Sequence, residues 1–245
     1  MSAHGRLLAL LGAASVAAAP LAPRASEADA FENKVEPVSG QLYETVGRFE
    51  LEPFFALSLN DAFYAKYFGG VRGGYHLSDA WAVSVAFETG FSSQTASTTL
   101  CTVNQGCRNP TDSQLWQVPG DIRWIAGAEV AFSPVYGKVN LLASAVVHLD
   151  FSLIAGADWI VFQKVLSSAE AEAAALAGGS PGTTGAPGIH LGIGSHIFLG
   201  RSLALALQLR DYLYLADIGN LGEQKIQNQL FLELGLSFFI GGAAR

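Results

Sequence analysis

The feature that most constrains this chain is a series of stretches in which every second residue is apolar. Such alternation predicts β-strands with one apolar face, because successive side chains of a strand point to opposite sides of a sheet. The last stretch shows it most clearly, with Leu232, Leu234 and Leu236 separated by Glu233 and Gly235. Eight stretches of this kind lie between residues 47 and 241. We therefore predict an all-β domain of eight strands.

The composition decides which environment the apolar face meets. The chain of 245 residues is 50% hydrophobic and 14% charged, with a formal net charge of -7. This acidic balance argues against a nucleic-acid-binding surface, which needs clustered cations. Beyond the N-terminus the sequence has no uncharged apolar run of about 18 residues or more, the length that predicts a membrane-spanning helix. A transmembrane β-barrel is the class that combines apolar composition with alternating strands.

The polar faces of the predicted strands carry charges and histidines, whereas the opposite faces are almost wholly apolar. A cation that faces lipid at the bilayer midplane costs roughly 2 to 4 kcal/mol, so the polar face points into the barrel. An eight-stranded barrel is just wide enough for side chains to fill it, and we expect these groups to pair with one another. The predicted interior polar network consists of Arg48, Glu50, Glu52, Arg72, Glu88, Arg123, Glu129, Lys138, His148, His190, His196, Arg210 and Glu233.

The connections predict an antiparallel up-and-down transmembrane β-barrel over residues 47–241, because short and long connections alternate along the chain. Tight turns are predicted at Ser78 and Asp79, at residues 133–137 and at residues 200–202. The predicted outer loops span residues 60–66, 93–120, 152–187 and 216–227. Long outer loops and short periplasmic turns are typical of outer-membrane barrels.

The N-terminus predicts export. A basic lead that ends at Arg6 precedes an apolar run over residues 7–19, which is the order of a secretory signal peptide. We predict a signal peptide over residues 1–30, cleaved between residues 19 and 30, and a periplasmic segment over residues 31–46. The predicted location is the bacterial outer membrane, reached by Sec-type export. Cys101 and Cys107 then meet an oxidising compartment, which predicts a disulfide between them.

No catalytic residue, cofactor or metal site is predicted. His190 and His196 share a strand face, but six residues at about 3.3 Å each separate them by roughly 20 Å, too far for one metal ion. A site shared with His76 or His148 on neighbouring strands remains open, although we favour imidazoles that pair within the interior. Ser195 points outward without a histidine on the same face, so we expect no hydrolase chemistry.

The third loop contains a predicted helix. Strong helix formers follow Ser167 and Ser168, and the run ends at Gly178 and Gly179. Three interpretations are open: a cap over the barrel mouth, a contact with another protein, or a solvated spacer.

Three short motifs lie in the first two predicted strands and the loop between them. The first strand opens with RFEL at residues 48–51, the loop contains NDAF at residues 60–63, and the second strand ends with YHLS at residues 75–78. Together with the surrounding residues 32–90, they resemble a family of small outer-membrane β-barrel proteins from myxobacteria and their relatives. Some members of that family belong to the envelope machinery of gliding motility or are encoded with it. The resemblance implies no catalytic residues and no cofactors.

These observations lead us to expect a non-enzymatic, structural or scaffolding component of a cell-envelope complex, with a link to gliding motility implied by the resemblance. The expected partners are outer-membrane lipid and envelope or periplasmic proteins, with no nucleic acid. Two alternatives stay open: a narrow channel or small-solute transporter, and an outer-membrane lipid-modifying enzyme.

Overall fold

The computed structural model describes residues 42–61, 63–95, 98–102, 106–141, 145–217 and 224–242. The chain divides into two units, Met1–Gly40 and Gln41–Arg245. The first unit lies outside the described residues, as do the predicted signal peptide and most of the predicted periplasmic segment. Among the described residues, no helix is both long enough and apolar enough to cross a membrane.

Strands make up most of the second unit. In chain order its elements are β1 (Arg48–Ser58), β2 (Tyr64–His76), β3 (Trp81–Gln94), β4 (Leu100–Thr102), β5 (Gly106–Arg108), α1 (Asp112–Leu115), β6 (Ile122–Leu141), β7 (Ala145–Gln163), α2 (Ser168–Leu176), β8 (Thr183–Phe198), β9 (Leu203–Asp217) and β10 (Gln224–Gly241). Eight of them close a barrel in the order β1-β10-β9-β8-β7-β6-β3-β2, while β4 and β5 form a separate hairpin. Because neighbouring strands are antiparallel and β1 pairs with β10, the predicted eight-stranded up-and-down barrel is confirmed.

The two faces of the barrel wall differ in polarity, as the alternation predicts. On the outside, large apolar side chains are exposed, and Phe91 keeps 65% of its accessible surface. On the inside, Arg210 and Glu233 each keep 1%. The charged residues are therefore buried within the ring, and the apolar residues form its outer surface.

The hairpin between β6 and β7 corrects the predicted turn at residues 133–137. β6 continues to Leu141 and pairs with β7 beyond this point, with a register shift between Phe132 and Val135. Pro134 and Gly137 are turn-forming residues, but here the chain accommodates them through a β-bulge, which lets one strand carry extra residues without reversing. The chain reverses instead between Leu141 and Ala145.

The predicted loop over residues 152–187 is also wrong in its bounds. β7 extends to Gln163 and β8 begins at Thr183, so the connection spans residues 164–182. The small residues in this part of β7 carry a weak alternation signal, because alanine and glycine fit either face. The other predicted loops, at residues 60–66, 93–120 and 216–227, are likewise shorter in the structure, since β2 begins at Tyr64, β3 ends at Gln94 and β9 runs to Asp217.

A second bulge lies at the start of β6, with a register shift between Ile122 and Trp124. The shift inverts the predicted faces of the two residues before Trp124. Ile122, predicted to face outward, is fully buried in the barrel. Arg123, predicted to face inward, has a side chain that is 49% exposed and pairs with Asp121 at 2.9 Å. The prediction that Arg123 belongs to the interior network is wrong.

The barrel has two distinct ends. At the end that we call the loop end lie the connections after β1, β3, β7 and β9, and at the turn end lie the short connections after β2, β6 and β8. The interior holds an apolar cluster toward the loop end and an aromatic cluster at the turn end. The loop-end cluster comprises Phe54, Ala56, Phe68, Ile122, Ile125, Ile160, Phe162, Ala186, Tyr212, Tyr214, Ala216 and Phe231. The turn-end cluster comprises Phe198, Ala204 and Phe239, with Tyr43 and Tyr136 packed against them.

Candidate functional site

A layer of charged side chains fills the barrel between these two apolar clusters. At its centre, Arg72 of β2 contacts Glu52 through Nη1 at 2.6 Å, Glu233 through Nη2 at 2.7 Å and Glu129 through Nε at 3.1 Å. Its guanidinium also lies over the ring of Phe54, 4.5 Å from the centroid. One buried cation thus links side chains of β1, β6 and β10.

A second guanidinium, that of Arg210 on β9, completes this centre. Its Nη2 donates to Glu129 at 2.9 Å, its Nη1 also contacts Glu129, and its Nε lies 3.2 Å from Glu233. Nε and Nη2 also donate to the Gln208 side chain. Glu129 and Glu233 are therefore shared by both arginines. Such buried charges are tolerated because each has several oppositely charged or hydrogen-bonding neighbours.

His190 of β8 and Glu88 of β3 lie beside this centre. His190 Nδ1 lies 2.7 Å from Asp158, and its Nε2 lies 3.2 Å from Glu129, so both ring nitrogens are engaged. The Tyr212 hydroxyl, which lies in the same layer, donates to Glu233 at 3.5 Å. Glu88 is buried, and its Oε2 atom has no hydrogen-bond partner within the described part of the chain. Among the described residues it lacks the ion pair that its place in the predicted network implies.

A second polar cluster lies nearer the turn end. The Glu50 carboxylate is bracketed by two imidazoles, with His76 Nε2 at 2.8 Å from Oε2 and His196 Nε2 at 3.2 Å from Oε1. Asp150 holds His196 from the other side, because its carboxylate accepts the backbone N–H of His196 at 2.7 Å and lies 3.1 Å from Nδ1. A cavity of about 30 Å³ separates this cluster from the central arginines, and Glu52 also lines it.

The remaining residues of the predicted network lie at the turn end. His148 is buried among aromatic rings, 5.1 Å from Tyr43 and 5.9 Å from Tyr136. Arg48 reaches across to the carbonyl oxygen of Arg201. Lys138 faces His148 across the hairpin but is exposed at the rim. Its placement in the interior network is wrong, because the bulged end of β6 carries it beyond the filled part of the barrel.

Two buried charges of the interior lie in stretches that the sequence analysis assigned to loops. Asp158, the partner of His190, falls in the stretch predicted as a loop. Lys66 also falls in a predicted loop, yet it is buried, contacts Asp61 and donates to Gln229 at 2.5 Å. The alternation of Lys66 with the apolar residues that flank it along β2 is the signal that could have placed it on the inner face.

The loop end is a structured surface. The hairpin of β4 and β5 is bridged by the predicted disulfide between Cys101 and Cys107. The predicted helix is α2, which Ser167 caps in a reciprocal arrangement with Glu170. Residues 112–118 and 164–176, which we call the loop cap, contact each other through the Leu166 N–H and the Trp116 carbonyl oxygen at 2.9 Å. The loop cap is tied to β2 by the Tyr64 hydroxyl, which donates to the Leu115 carbonyl oxygen at 2.9 Å.

The distribution of polarity defines the class of protein. A soluble barrel buries its apolar residues and exposes its charges, whereas this barrel buries charges and exposes an apolar wall. In lipid every backbone group must be bonded within the protein, and a closed ring of strands meets that requirement. The chain is an eight-stranded β-barrel of the bacterial outer membrane.

Several solved structures are similar in overall arrangement. The N-terminal β-barrel domain of Pseudomonas aeruginosa OprF is 11% identical, with 80% of this chain and 98% of that chain covered and a TM-score of 0.47. Pseudomonas aeruginosa OprG is 9% identical, with 81% and 98% covered and a TM-score of 0.42. The outer membrane protein AlkL, solved in lipid bilayers, is 15% identical, with 87% and 99% covered and a TM-score of 0.37.

No family model matches the sequence, and no curated protein is similar to it at a significant level. The class assignment therefore rests on the strand topology and on the polarity of the barrel wall.

Proposed function

We propose that this barrel is a structural or scaffolding component of a cell-envelope complex, with its loop cap as the contact surface for a partner. The proposal rests on one contrast. The barrel interior is filled with side chains, whereas the loop end carries ordered secondary structure at the surface. Ion pairs and two apolar clusters occupy the interior, and lipid covers the wall, so specific recognition is left to the ends of the barrel.

The interior supports this proposal over a channel. A conducting path needs a continuous lumen, and aqueous channels are found in barrels of about 16 strands. Within the described part of this barrel, the polar cavity beside Arg72 and Arg210 measures about 30 Å³, which is the space of a water molecule or two. The loop-end apolar cluster and the turn-end aromatic cluster lie on either side of it.

The surroundings of Ser195 support a non-enzymatic role over lipid modification. Its hydroxyl donates to the Asp150 carbonyl oxygen at 2.7 Å. A serine nucleophile needs a histidine within hydrogen-bond reach, whereas the neighbouring His196 faces inward to Glu50 and Asp150. Mass spectrometry of outer-membrane lipids from cells with and without the protein tests this point, and a protein-dependent change in lipid structure would contradict it.

The loop cap presents a surface of defined shape and chemistry. Leu176 at the end of α2 is 84% exposed, and Glu172, one turn earlier on the same face of the helix, is also exposed. A hydrophobic residue beside an acidic one fits a partner surface with an apolar pocket and a nearby cation. We propose an extracellular or envelope protein as the partner of this outer surface, alongside the surrounding lipid; a periplasmic partner would meet the turn end. A link to gliding motility is supported by the motif resemblance in β1 and β2.

The test combines conductance with partner capture. The Lys164 N–H donates to the Gly182 carbonyl oxygen at 2.8 Å, so a short Gly/Ser turn can replace residues 166–180 without separating β7 from β8. We expect this variant to insert and to show heat-modifiable migration like the wild type, but to lose crosslinks to its envelope partner in intact cells. Leu176→Ser is a smaller change that leaves the helix in place and removes only its exposed apolar end, and it should weaken the same crosslinks.

Wild-type protein in a planar bilayer is expected to show no discrete conductance steps. Steps that persist after the loop replacement would contradict the scaffold proposal and favour the channel. Unchanged crosslinking by the loop variant would show that the loop cap is not the contact surface.

A further inference from the structure

The cluster at the turn end contains two buried ligand atoms that lack a hydrogen bond. Within the described part of the chain, neither Glu50 Oε1 nor His196 Nε2 has a hydrogen-bond partner. They face each other at 3.2 Å beside the cavity of about 30 Å³. Among the described residues the two atoms form an ion pair with each other that lacks hydrogen-bond geometry, and a buried polar atom without a directed hydrogen bond needs an explanation.

The separation of these atoms matches the coordination shell of a metal ion. Zinc binds imidazole nitrogen and carboxylate oxygen at about 2.0 to 2.2 Å in tetrahedral geometry, so two of its ligands lie about 3.3 Å apart. Glu50, Glu52 and His196 each offer a ligand atom, and these atoms all lie within 4.8 Å of one another. The cavity beside them has room for one ion with a water ligand.

Neighbouring side chains hold His196 and Glu50 in the way that metal ligands are usually held. A metal-binding histidine usually donates its second ring N–H to a carboxylate, which fixes the tautomer and the ring orientation. Asp150 occupies that position, 3.1 Å from His196 Nδ1. His76, at 2.8 Å from Glu50 Oε2, orients the carboxylate so that Oε1 faces the cavity.

The charge of the surroundings favours a cation. In the described barrel interior, carboxylates outnumber guanidinium groups. The carboxylates are Glu50, Glu52, Glu88, Glu129, Asp150, Asp158 and Glu233, and the guanidinium groups are those of Arg72 and Arg210. Both guanidinium groups are already engaged with Glu52, Glu129 and Glu233, and the buried ammonium of Lys66 pairs with Asp61. Glu52 contacts Arg72 through Oε1 and accepts from Ser237 through Oε2, so as a metal ligand it would share its carboxylate with these groups. Among the described residues, Glu50 and Asp150 have only histidines as positively charged ion-pair partners.

We propose that Glu50, Glu52 and His196 bind one divalent transition-metal ion inside the barrel, with Asp150 and His76 as positioning residues. Mixed imidazole and carboxylate ligands suit zinc and its neighbours in the first transition row. The ion links β1 to β8 and adds positive charge to an acid-rich interior. It is separate from the loop cap and from the proposed role in an envelope complex.

The experiment uses the full chain, without an affinity tag, refolded in detergent with its disulfide intact. After treatment with a chelator, the barrel is refolded with ZnCl₂, passed through a desalting column and assayed by elemental analysis. We expect one zinc ion per chain in the wild type. Glu50→Gln and His196→Gln should abolish retention, and Asp150→Asn should lower zinc affinity about 10- to 100-fold, the effect of losing a second-shell carboxylate.

His148→Gln is the matched control, because it removes a turn-end histidine that packs among aromatic rings, and it should retain zinc. The wild type refolded with cobalt(II) gives a second readout that needs no variant to fold. We expect the visible absorption bands of a tetrahedral site. The proposal is overturned if the wild type retains no zinc and gives no such bands, or if folded Glu50→Gln binds zinc as tightly as the wild type does.

Discussion

Replacing Arg210 with methionine should destabilise the barrel far more than the same replacement at Arg123. Arg210 is 1% exposed and contacts Glu129, Glu233 and Gln208. Removing one partner of a buried ion pair leaves an uncompensated charge and costs about 3 to 5 kcal/mol. Arg72 still contacts both carboxylates after the change, so the expected loss lies near the lower end, about 3 kcal/mol.

Arg123→Met is the matched control, because it is the same chemical change outside the barrel. The Arg123 side chain is 49% exposed and pairs with Asp121 at 2.9 Å. An exposed ion pair contributes about 0 to 1 kcal/mol. The two arginines look equivalent in the alternation of the sequence, and the bulge at the start of β6 makes the difference.

Urea unfolding in detergent or lipid vesicles, followed by heat-modifiable migration on a gel, measures the free energy of unfolding. With a slope of about 2 kcal/mol per molar urea, the midpoint should fall by about 1.5 M for Arg210→Met and by less than about 0.5 M for Arg123→Met. Equal shifts for the two variants would refute the reasoning, since burial would then have no bearing on the cost. Adding Glu129→Gln to Arg210→Met should recover part of the loss, because it removes a buried carboxylate that has lost one of its two guanidinium partners.

Four further changes have defined outcomes. Glu88→Gln should cost no more than about 1 kcal/mol in the same urea assay, because the amide matches the carboxyl group in size and Glu88 has no ion pair among the described residues; a loss as large as that of Arg210→Met would show that Glu88 is an ion-pair partner. Cys101→Ser should leave insertion and heat-modifiability unchanged, since the bridged hairpin lies outside the barrel ring, but should speed protease cleavage in that loop on intact cells. Gly156→Ala should destabilise the barrel by about 1 to 3 kcal/mol, because the added Cβ would lie 2.6 Å from a backbone oxygen of β6. Gly69→Ala, which meets nothing within 4 Å, should leave the urea midpoint unchanged.

The fold was predictable wherever large side chains mark the outer face. Along β10 the leucines alternate without interruption, and both the strand and its orientation follow directly. The hairpin of β6 and β7 was not predictable in the same way, because each of its bulges shifts the alternation by one residue. A single inserted residue exchanges inside for outside, and Ile122 and Arg123 changed places for that reason.

The candidate site was predictable as a set of inward positions but not as a set of pairs. The alternation places Arg72 and Glu129 on the inner face, yet β2 and β6 are not neighbours in the ring. Their contact crosses the lumen, so it depends on the diameter of the closed barrel and on strand tilt. Asp158 was missed because the small residues around it resemble a loop, and its pairing with His190 depends on that same segment being a strand.

The shared arginines couple closure of the ring to the neutralisation of charge. Glu52 lies on β1, Arg72 on β2, Arg210 on β9 and Glu233 on β10, so the first and last strands of the barrel supply the two sides of one ionic layer. In an open sheet these groups would face the membrane unpaired, and each strand added to the sheet would raise that cost until β1 met β10. A sheet in which β1 has not yet paired with β10 is therefore unstable in lipid. Assembly of this protein should be cooperative, with the seam between its first and last strands as the step that removes the electrostatic barrier.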